Sequence, residues 1–178
     1  MYKRQDFTGQ DCVNCPKAHQ VIESLEKLYG DNLIAVSVHG GSFGIPVEYS
    51  WLPVGYVGLA SPEGIAYNNA KNLSSWPAGE IDRRGSTMDY DKWADAVRTE
   101  IERPAEADIT LAASITHDGK IEVTTTVTPR ADYSGTLQLW VLESGIVAAQ
   151  KDDTREIPDY VHNNVLLSLI HISEPTRL

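Results

Sequence analysis

DFTGQDCVNCPKAHQVIESLEKLYGDNLIAVSVHGG, at residues 6–41, contains the clearest structural pattern in the chain. Apolar residues recur at helical spacing from Ala18 to Leu28, which predicts an amphipathic helix that ends at Gly30. The run Leu33–Val38 then predicts a strand buried on both faces, because it is continuously apolar and rich in β-branched residues. A helix followed by such a strand is typical of an α/β fold.

The pattern continues to about residue 103. A weak helix is expected over Pro62–Asn72, a short strand over Ala78–Asp82, and a second amphipathic helix from about Asp89 to Arg103. Because helices and strands alternate, we predict an α/β domain over residues 6–103. The C-x-x-C motif within it, at Cys12 and Cys15, favours a thioredoxin-like fold.

After Pro104 the pattern changes to alternation of apolar and polar residues. Runs at Leu111–Ile115 and Ile121–Val127 flank a turn, and two more begin at Leu137 and Ile146. Such alternation predicts half-buried antiparallel strands. We therefore expect a partial, truncated β-sandwich-like domain over residues 104–166.

Composition and charge exclude several classes of protein. The chain has 178 residues, of which 42% are hydrophobic and 22% charged, as in an ordinary globular protein. Its net charge of −10 repels phosphate backbones, so we expect no nucleic-acid partner. No apolar run approaches the roughly 18 residues that a membrane-spanning helix needs. We also expect no cofactor and no metal.

The two cysteines, Cys12 and Cys15, form a C-x-x-C motif directly before the predicted helix. Unpaired N–H groups at a helix N-terminus favour a thiolate, so Cys12 is a candidate nucleophile and Cys15 a candidate resolving thiol. Pro16 is compatible with the first helical turn. Two alternatives stay open. The pair can form a static structural disulfide, or it can bind a metal ion if other residues supply the remaining ligands.

Other polar residues near the motif are candidates for supporting roles. Asp6 is placed to act as a general base for Cys15 if its carboxylate is buried, although a loop or edge carboxylate is the plainer expectation. We expect His19 to be a solvated surface residue, and His39 either to face a cleft at the end of its strand or to pack.

Pro77 precedes the short strand that starts near Ala78. In thioredoxin-like folds a cis-proline at such a place faces the dithiol, whereas an ordinary trans-proline also suits a strand start. We predict the cis form and include Pro77 among the candidate site residues.

Both ends of the chain have an unusual composition. MYKRQ, residues 1–5, and LSLIHISEPTRL, residues 167–178, resemble translations of the two strands of a transposase mosaic-end adaptor. We expect both to be adaptor-like scars, and a leader sequence before residue 6 to be absent for that reason.

Four segments carry a family resemblance: DFTGQDCVNCPKAH, LIAVSVHGG, SSWPAGEIDRR and DYVHNNVLL. On these, the chain resembles the 28-kDa outer-membrane protein family of Bacteroidetes. The resemblance implies an extracytoplasmic, lipoprotein-type protein at the outer membrane, with a thioredoxin-like domain followed by a β-rich domain and an N-terminal lipid anchor. It leaves two functions open. The protein either exchanges disulfides with protein thiols and disulfides, or it is a non-enzymatic adhesion or receptor protein that binds a surface protein partner.

Overall fold

The computed structural model describes residues 2–47, 56–130 and 136–172. Its helices are α1 (Cys15–Tyr29), α2 (Pro62–Ala70) and α3 (Trp93–Ile101). Its strands are β1 (Tyr2–Thr8), β2 (Leu33–His39), β3 (Ala78–Ile81), β4 (Arg84–Met88), β5 (Ala107–Ile115), β6 (Ile121–Pro129), β7 (Leu137–Glu143), β8 (Ile146–Lys151), β9 (Glu156–His162) and β10 (Val165–Ile172). Helices combined with mixed and antiparallel sheets confirm the α/β class.

A six-stranded mixed sheet, in the order β4-β3-β1-β2-β10-β7, forms the centre of the first compact unit. Strands β1 and β2 are parallel, from the pair Tyr2↔Leu33 to the pair Thr8↔His39. Strand β3 runs antiparallel to β1 and places Ala78 opposite Phe7. The carboxyl ends of β1 and β2 therefore lie side by side, and the C-x-x-C loop leaves from this edge.

Each face of the sheet packs against helices. On one face α1 and α3 bury a cluster that includes Ile22, Leu33 and Trp93. On the other, Phe7 and Val38 belong to a second cluster that includes residues on and after α2. These clusters explain the predicted helix and strand, because the apolar stripe of α1 and the continuous run of β2 are the parts that become buried.

The last strands return to the same sheet. The first compact unit comprises residues up to Glu102 together with Leu139–Ile170. Strand β10 pairs in parallel with β2 at Val165↔Ser37 and buries Val165 and Leu166. The expected β-sandwich over 104–166 is thus divided in the structure, because pairing with β2 draws its later strands into the first unit.

The second compact unit is built on Arg103–Gln138. Strands β5 and β6 form an antiparallel hairpin from Ala107↔Pro129 to Ile115↔Ile121. Its turn is closed by a hydrogen bond from Thr116 N to Lys120 O, 2.8 Å long, at the place where the sequence predicts it.

Parts of both adaptor-like segments also lie in strands, since β1 begins at Tyr2 and β10 extends to Ile172. Arg4 and Gln5 are fully buried in β1. No helix within residues 2–47, 56–130 and 136–172 is both long and apolar enough to cross a membrane.

Candidate functional site

The C-x-x-C motif lies in the loop that joins β1 to α1. Cys12 and Cys15 are joined in a disulfide, with 5.4 Å between their Cα atoms. Cys15 is the first residue of α1, and Pro16 follows it in the first turn. Only 3% of Cys12 and none of Cys15 is exposed, so solvent does not reach the sulfur atoms freely. Val13, between them, is 42% exposed and forms the outer surface of the loop.

Two buried glutamines hold this loop under the β8–β9 hairpin. The Gln150 side-chain amide donates hydrogen bonds to Gly9 O at 3.2 Å and Cys12 O at 3.1 Å. The Gln10 amide donates to Ala149 O at 3.1 Å, and Lys151 N donates to Gln10 O at 2.8 Å. Gly9 O and Cys12 O also accept bonds from Cys12 N and Cys15 N within the loop, so the two glutamines add hydrogen bonds that join the loop to the hairpin.

A buried polar cluster lies behind the disulfide, on the α1 face of the sheet. His19, one helical turn after Cys15, places its Nε2 3.0 Å from Thr8 Oγ1 and its Nδ1 2.8 Å from the Tyr160 hydroxyl. Its Nε2 is also 3.6 Å from Asp6 Oδ2. A neutral imidazole, with one nitrogen donating and the other accepting, satisfies this arrangement.

Burial determines the charges in this cluster. It raises the pKa of Asp6 to about 7, against an opposing effect from the Arg4 guanidinium. Burial lowers the pKa of His19 to about 3 and that of His162 to about 4, and it holds the pKa of His39 well below the ordinary value. At neutral pH the three imidazoles are therefore uncharged, and burial disfavours the charged form of the Asp6 carboxyl.

His39 and His162 line a small cavity of about 30 Å³ next to His19. Their ring centroids are 5.4 Å apart in an edge-on arrangement. Both rings are buried, with the backbone of Ser37 beside His39 and the backbone of Ala148 and Ala149 beside His162. The cavity is polar and has room for roughly one or two water molecules, which would supply further hydrogen bonds to the rings. Across that same part of the chain, no three His, Cys, Asp or Glu side chains are grouped to hold a metal ion.

The structure confirms the cis peptide bond between Trp76 and Pro77. Pro77 precedes β3, whose first residue, Ala78, lies opposite Phe7 near the end of β1. The proline is therefore beside the edge of the sheet from which the C-x-x-C loop leaves. Its predicted place facing the dithiol, as a candidate site residue, stays a prediction.

The prediction for His19 is wrong, because its side chain is only 13% exposed and is part of the buried cluster. His39 is also buried, as one of the two predicted alternatives requires. The Asp6 carboxylate is fully buried, and neither of its oxygens has a hydrogen-bond partner among the described residues. Its role as a base for Cys15 therefore stays a prediction.

Sequence reasoning did not identify Gln10, Gln150 or Tyr160 as parts of the site. Gln10 and Gln150 are 140 positions apart, and no local pattern connects residues at that distance. The available signal for the β9 residues was DYVHNNVLL, which carries both Tyr160 and His162 and belongs to the segments of the family resemblance.

Comparison with known proteins fits this C-terminal signal. The family described as "Outer membrane protein Omp28" matches residues 65–172, more than half of the chain. The chain belongs to the Omp28 family. This membership confirms the resemblance and assigns the protein to the outer membrane, outside the cytoplasm. No curated protein matches the Omp28 chain.

A solved structure resembles the Omp28 chain in fold. The crystal structure of protein AGR_C_4864 from Agrobacterium tumefaciens aligns with a TM-score of 0.50 and 16% sequence identity. The alignment covers 96% of this chain and 72% of that one. At this identity the likeness concerns the fold alone.

Proposed function

We propose that this Omp28 protein is a non-enzymatic binding protein of the outer membrane, an adhesin or receptor for a surface partner, whose C-x-x-C disulfide is structural. The burial of the disulfide carries the proposal. A reactive cysteine needs an accessible sulfur in an electropositive surrounding, whereas Cys12 and Cys15 are 3% and 0% exposed. The hydrogen bonds from Gln150 hold the cover in place over them.

The scaffold that we propose is thioredoxin-like. The order of elements, β1-α1-β2-α2-β3-β4-α3, supports it, as do the disulfide at the start of α1 and the cis-proline before β3. On this scaffold the disulfide ties the loop to the helix. Closing a loop of about four residues removes only about 2 kcal/mol of unfolded-state entropy, so its contribution is local. The family resemblance also leads us to propose membrane attachment through a lipid anchor, which metabolic labelling with palmitate would detect.

Thiol-disulfide exchange is the second candidate function. It is favoured by the position of Cys15 at the N-terminus of α1 and by the buried Asp6, whose pKa of about 7 suits a general base. Exchange on this surface would require the β8–β9 hairpin to open first, so that Cys12 becomes accessible to a partner thiol.

An insulin-reduction assay on the full chain separates the two functions. We expect dithiothreitol with the protein to reduce insulin no faster than dithiothreitol with the Cys12→Ser, Cys15→Ser double variant. A Cys15→Ser single variant should trap no mixed disulfide with a protein partner. A clear rate increase over the double variant, or a trapped adduct through Cys12, would refute the structural role and establish exchange.

A further inference from the structure

A second cavity, of about 370 Å³, opens on the α2 side of the first unit. It lies between the turn at Gly41–Phe43, the end of α2 and the segment before β3. This volume is within the range of about 300 to 1,000 Å³ that small-molecule sites occupy. Its polar lining consists of three asparagines, one serine and one tryptophan, which are Asn68, Asn69, Asn72, Ser42 and Trp76.

Two buried donors in this lining have no partner. Asn68 is only 2% exposed, yet its Nδ2 makes no hydrogen bond to any described residue. The indole Nε1 of Trp76 is likewise buried and unpaired within those ranges. An unsatisfied buried donor costs roughly 1 to 3 kcal/mol, so a rotation of either side chain that brings its donor to an acceptor in the cavity is favourable.

The backbone keeps this cavity open next to Trp76. Gly41 has a φ of 62°, and a Cβ there would lie within 3 Å of both the Trp76 ring and the Asn68 amide oxygen. Only glycine suits this position, since any side chain would adopt a rare backbone conformation and displace the indole. The close approach of the turn to the indole thus depends on Gly41.

We propose that this cavity binds a neutral saccharide. No described lining side chain is ionisable, so nothing in it compensates the charge of an ionic ligand. Amide and hydroxyl side chains both donate and accept, which matches the hydroxyl groups of a sugar ring. The half-buried indole of Trp76 adds an apolar surface with a polar edge.

The walls favour a saccharide over a peptide. They come from a 3₁₀ turn, a helix end and a loop, and the lining contains no strand residue. A peptide that binds by strand addition needs a free strand edge, which this lining does not provide. The proposal rests on the binding function proposed above and gives it a ligand class, but its test is independent of the disulfide assay.

Saturation-transfer difference NMR on the full chain tests the proposal. The probes are glucose, galactose, mannose and N-acetylglucosamine, each at about 10 mM, with a neutral blocked tripeptide as comparator. We expect transfer to at least one sugar, with a Kd on the order of 1 mM for a ligand of this size. The indole N–H resonance of Trp76, identified by its loss in Trp76→Phe, should shift on titration.

Three variants locate the binding. Asn69→Ala and Asn72→Gly change exposed residues, and glycine preserves the left-handed backbone of Asn72, whose φ is 49°. Each should weaken sugar binding about five- to tenfold by removing an amide contact. Asn32→Ala, at an exposed position outside the lining, is the matched control and should bind normally.

Every outcome of this test decides the proposal. Binding that weakens in at least one cavity variant and persists in the control supports it. Absence of transfer to all four sugars overturns it, as does transfer that neither cavity variant weakens. Binding of the tripeptide at Trp76 without sugar binding overturns the ligand class. Loss of sugar binding leaves the structural role of the disulfide unaffected, because insulin reduction measures that role separately.

Discussion

Replacing Gln150 with alanine should expose the disulfide to reducing agents. The Gln150 side chain is fully buried, and its two bonds to Gly9 O and Cys12 O connect strand β8 to the C-x-x-C loop. The alanine variant loses both bonds and leaves two buried carbonyl groups with fewer partners. Gln20→Ala is a matched control, because Gln20 is exposed on the outer surface of α1.

The expected magnitude follows from the lost contacts. Two net hydrogen bonds contribute about 1 kcal/mol each, and the space left by the missing methylene and amide groups adds roughly 1 kcal/mol. The cover should therefore open about 3 kcal/mol more easily. If reduction proceeds only from the opened state, and closing is fast, the rate follows the open population and rises roughly 100-fold.

The assay is the pseudo-first-order rate of reduction by dithiothreitol, followed by maleimide labelling and mass spectrometry of the full chain. Urea unfolding measured in parallel separates local opening from global unfolding. If Gln150→Ala is reduced at the wild-type rate, the hairpin does not protect the disulfide. If the wild-type protein is reduced as fast as an unfolded C-x-x-C peptide, the sulfurs are accessible and the structural assignment fails.

Three further predictions concern the core. Burial lowers the pKa of the three clustered histidines in the folded protein, so the unfolded chain binds more protons than the folded one below about pH 6.5. The free energy of unfolding therefore decreases as the pH is lowered. Asp6, whose folded pKa is raised to about 7, offsets about one of these protons. Urea unfolding should therefore show a loss of about 3 kcal/mol between pH 7 and pH 5, and a flat profile would contradict the buried neutral cluster. Replacing the buried pair with Arg4→Met and Asp6→Val together should stabilise the protein by about 1 to 4 kcal/mol, because none of their side-chain polar atoms has a hydrogen-bond partner among the described residues; a lower melting temperature would count against it. Gly79→Ala should destabilise the fold by about 1 to 3 kcal/mol in thermal unfolding, since its Cβ would lie 2.6 Å from the Trp93 indole, and an unchanged melting temperature would show that this contact relaxes freely.

Local pattern was sufficient to predict the elements around the C-x-x-C motif. The helical spacing of apolar residues corresponds to α1, Cys15–Tyr29, and the continuous run corresponds to β2, Leu33–His39. Both signals come from side chains that the sheet and its helices bury, so burial and sequence pattern agree there. The same helical spacing indicates that His19 is buried, because His19 lies four positions after Cys15 and three before Ile22, and both of these residues are buried. A residue between two core positions on one helix face is expected to be buried whatever its polarity.

The C-terminal strands could not be placed in this way. The run that begins at Ile146 predicts a half-buried strand, but it does not indicate which surface covers its buried face, and β9 was not predicted. The deciding partners are distant in sequence, since the Gln150 side chain donates a hydrogen bond to Gly9 O, and Val165 pairs with Ser37 in the sheet. Long-range pairing of this kind leaves no local pattern. For this reason the β8–β9 cover was not predicted.

The cavity that we propose as a saccharide site is more accessible than the C-x-x-C sulfurs. A thiol group acts only where a partner can reach it, and in this fold the C-x-x-C loop is enclosed between α1 and the β8–β9 hairpin. Trp76 is adjacent to the cis-proline that we expected to face the motif, but its indole lines the cavity on the α2 side. There Asn69 and Asn72 are exposed, while Cys12 is 3% exposed. Exposed amide side chains therefore line the cavity, whereas the sulfurs are enclosed, and this distribution favours recognition over redox chemistry.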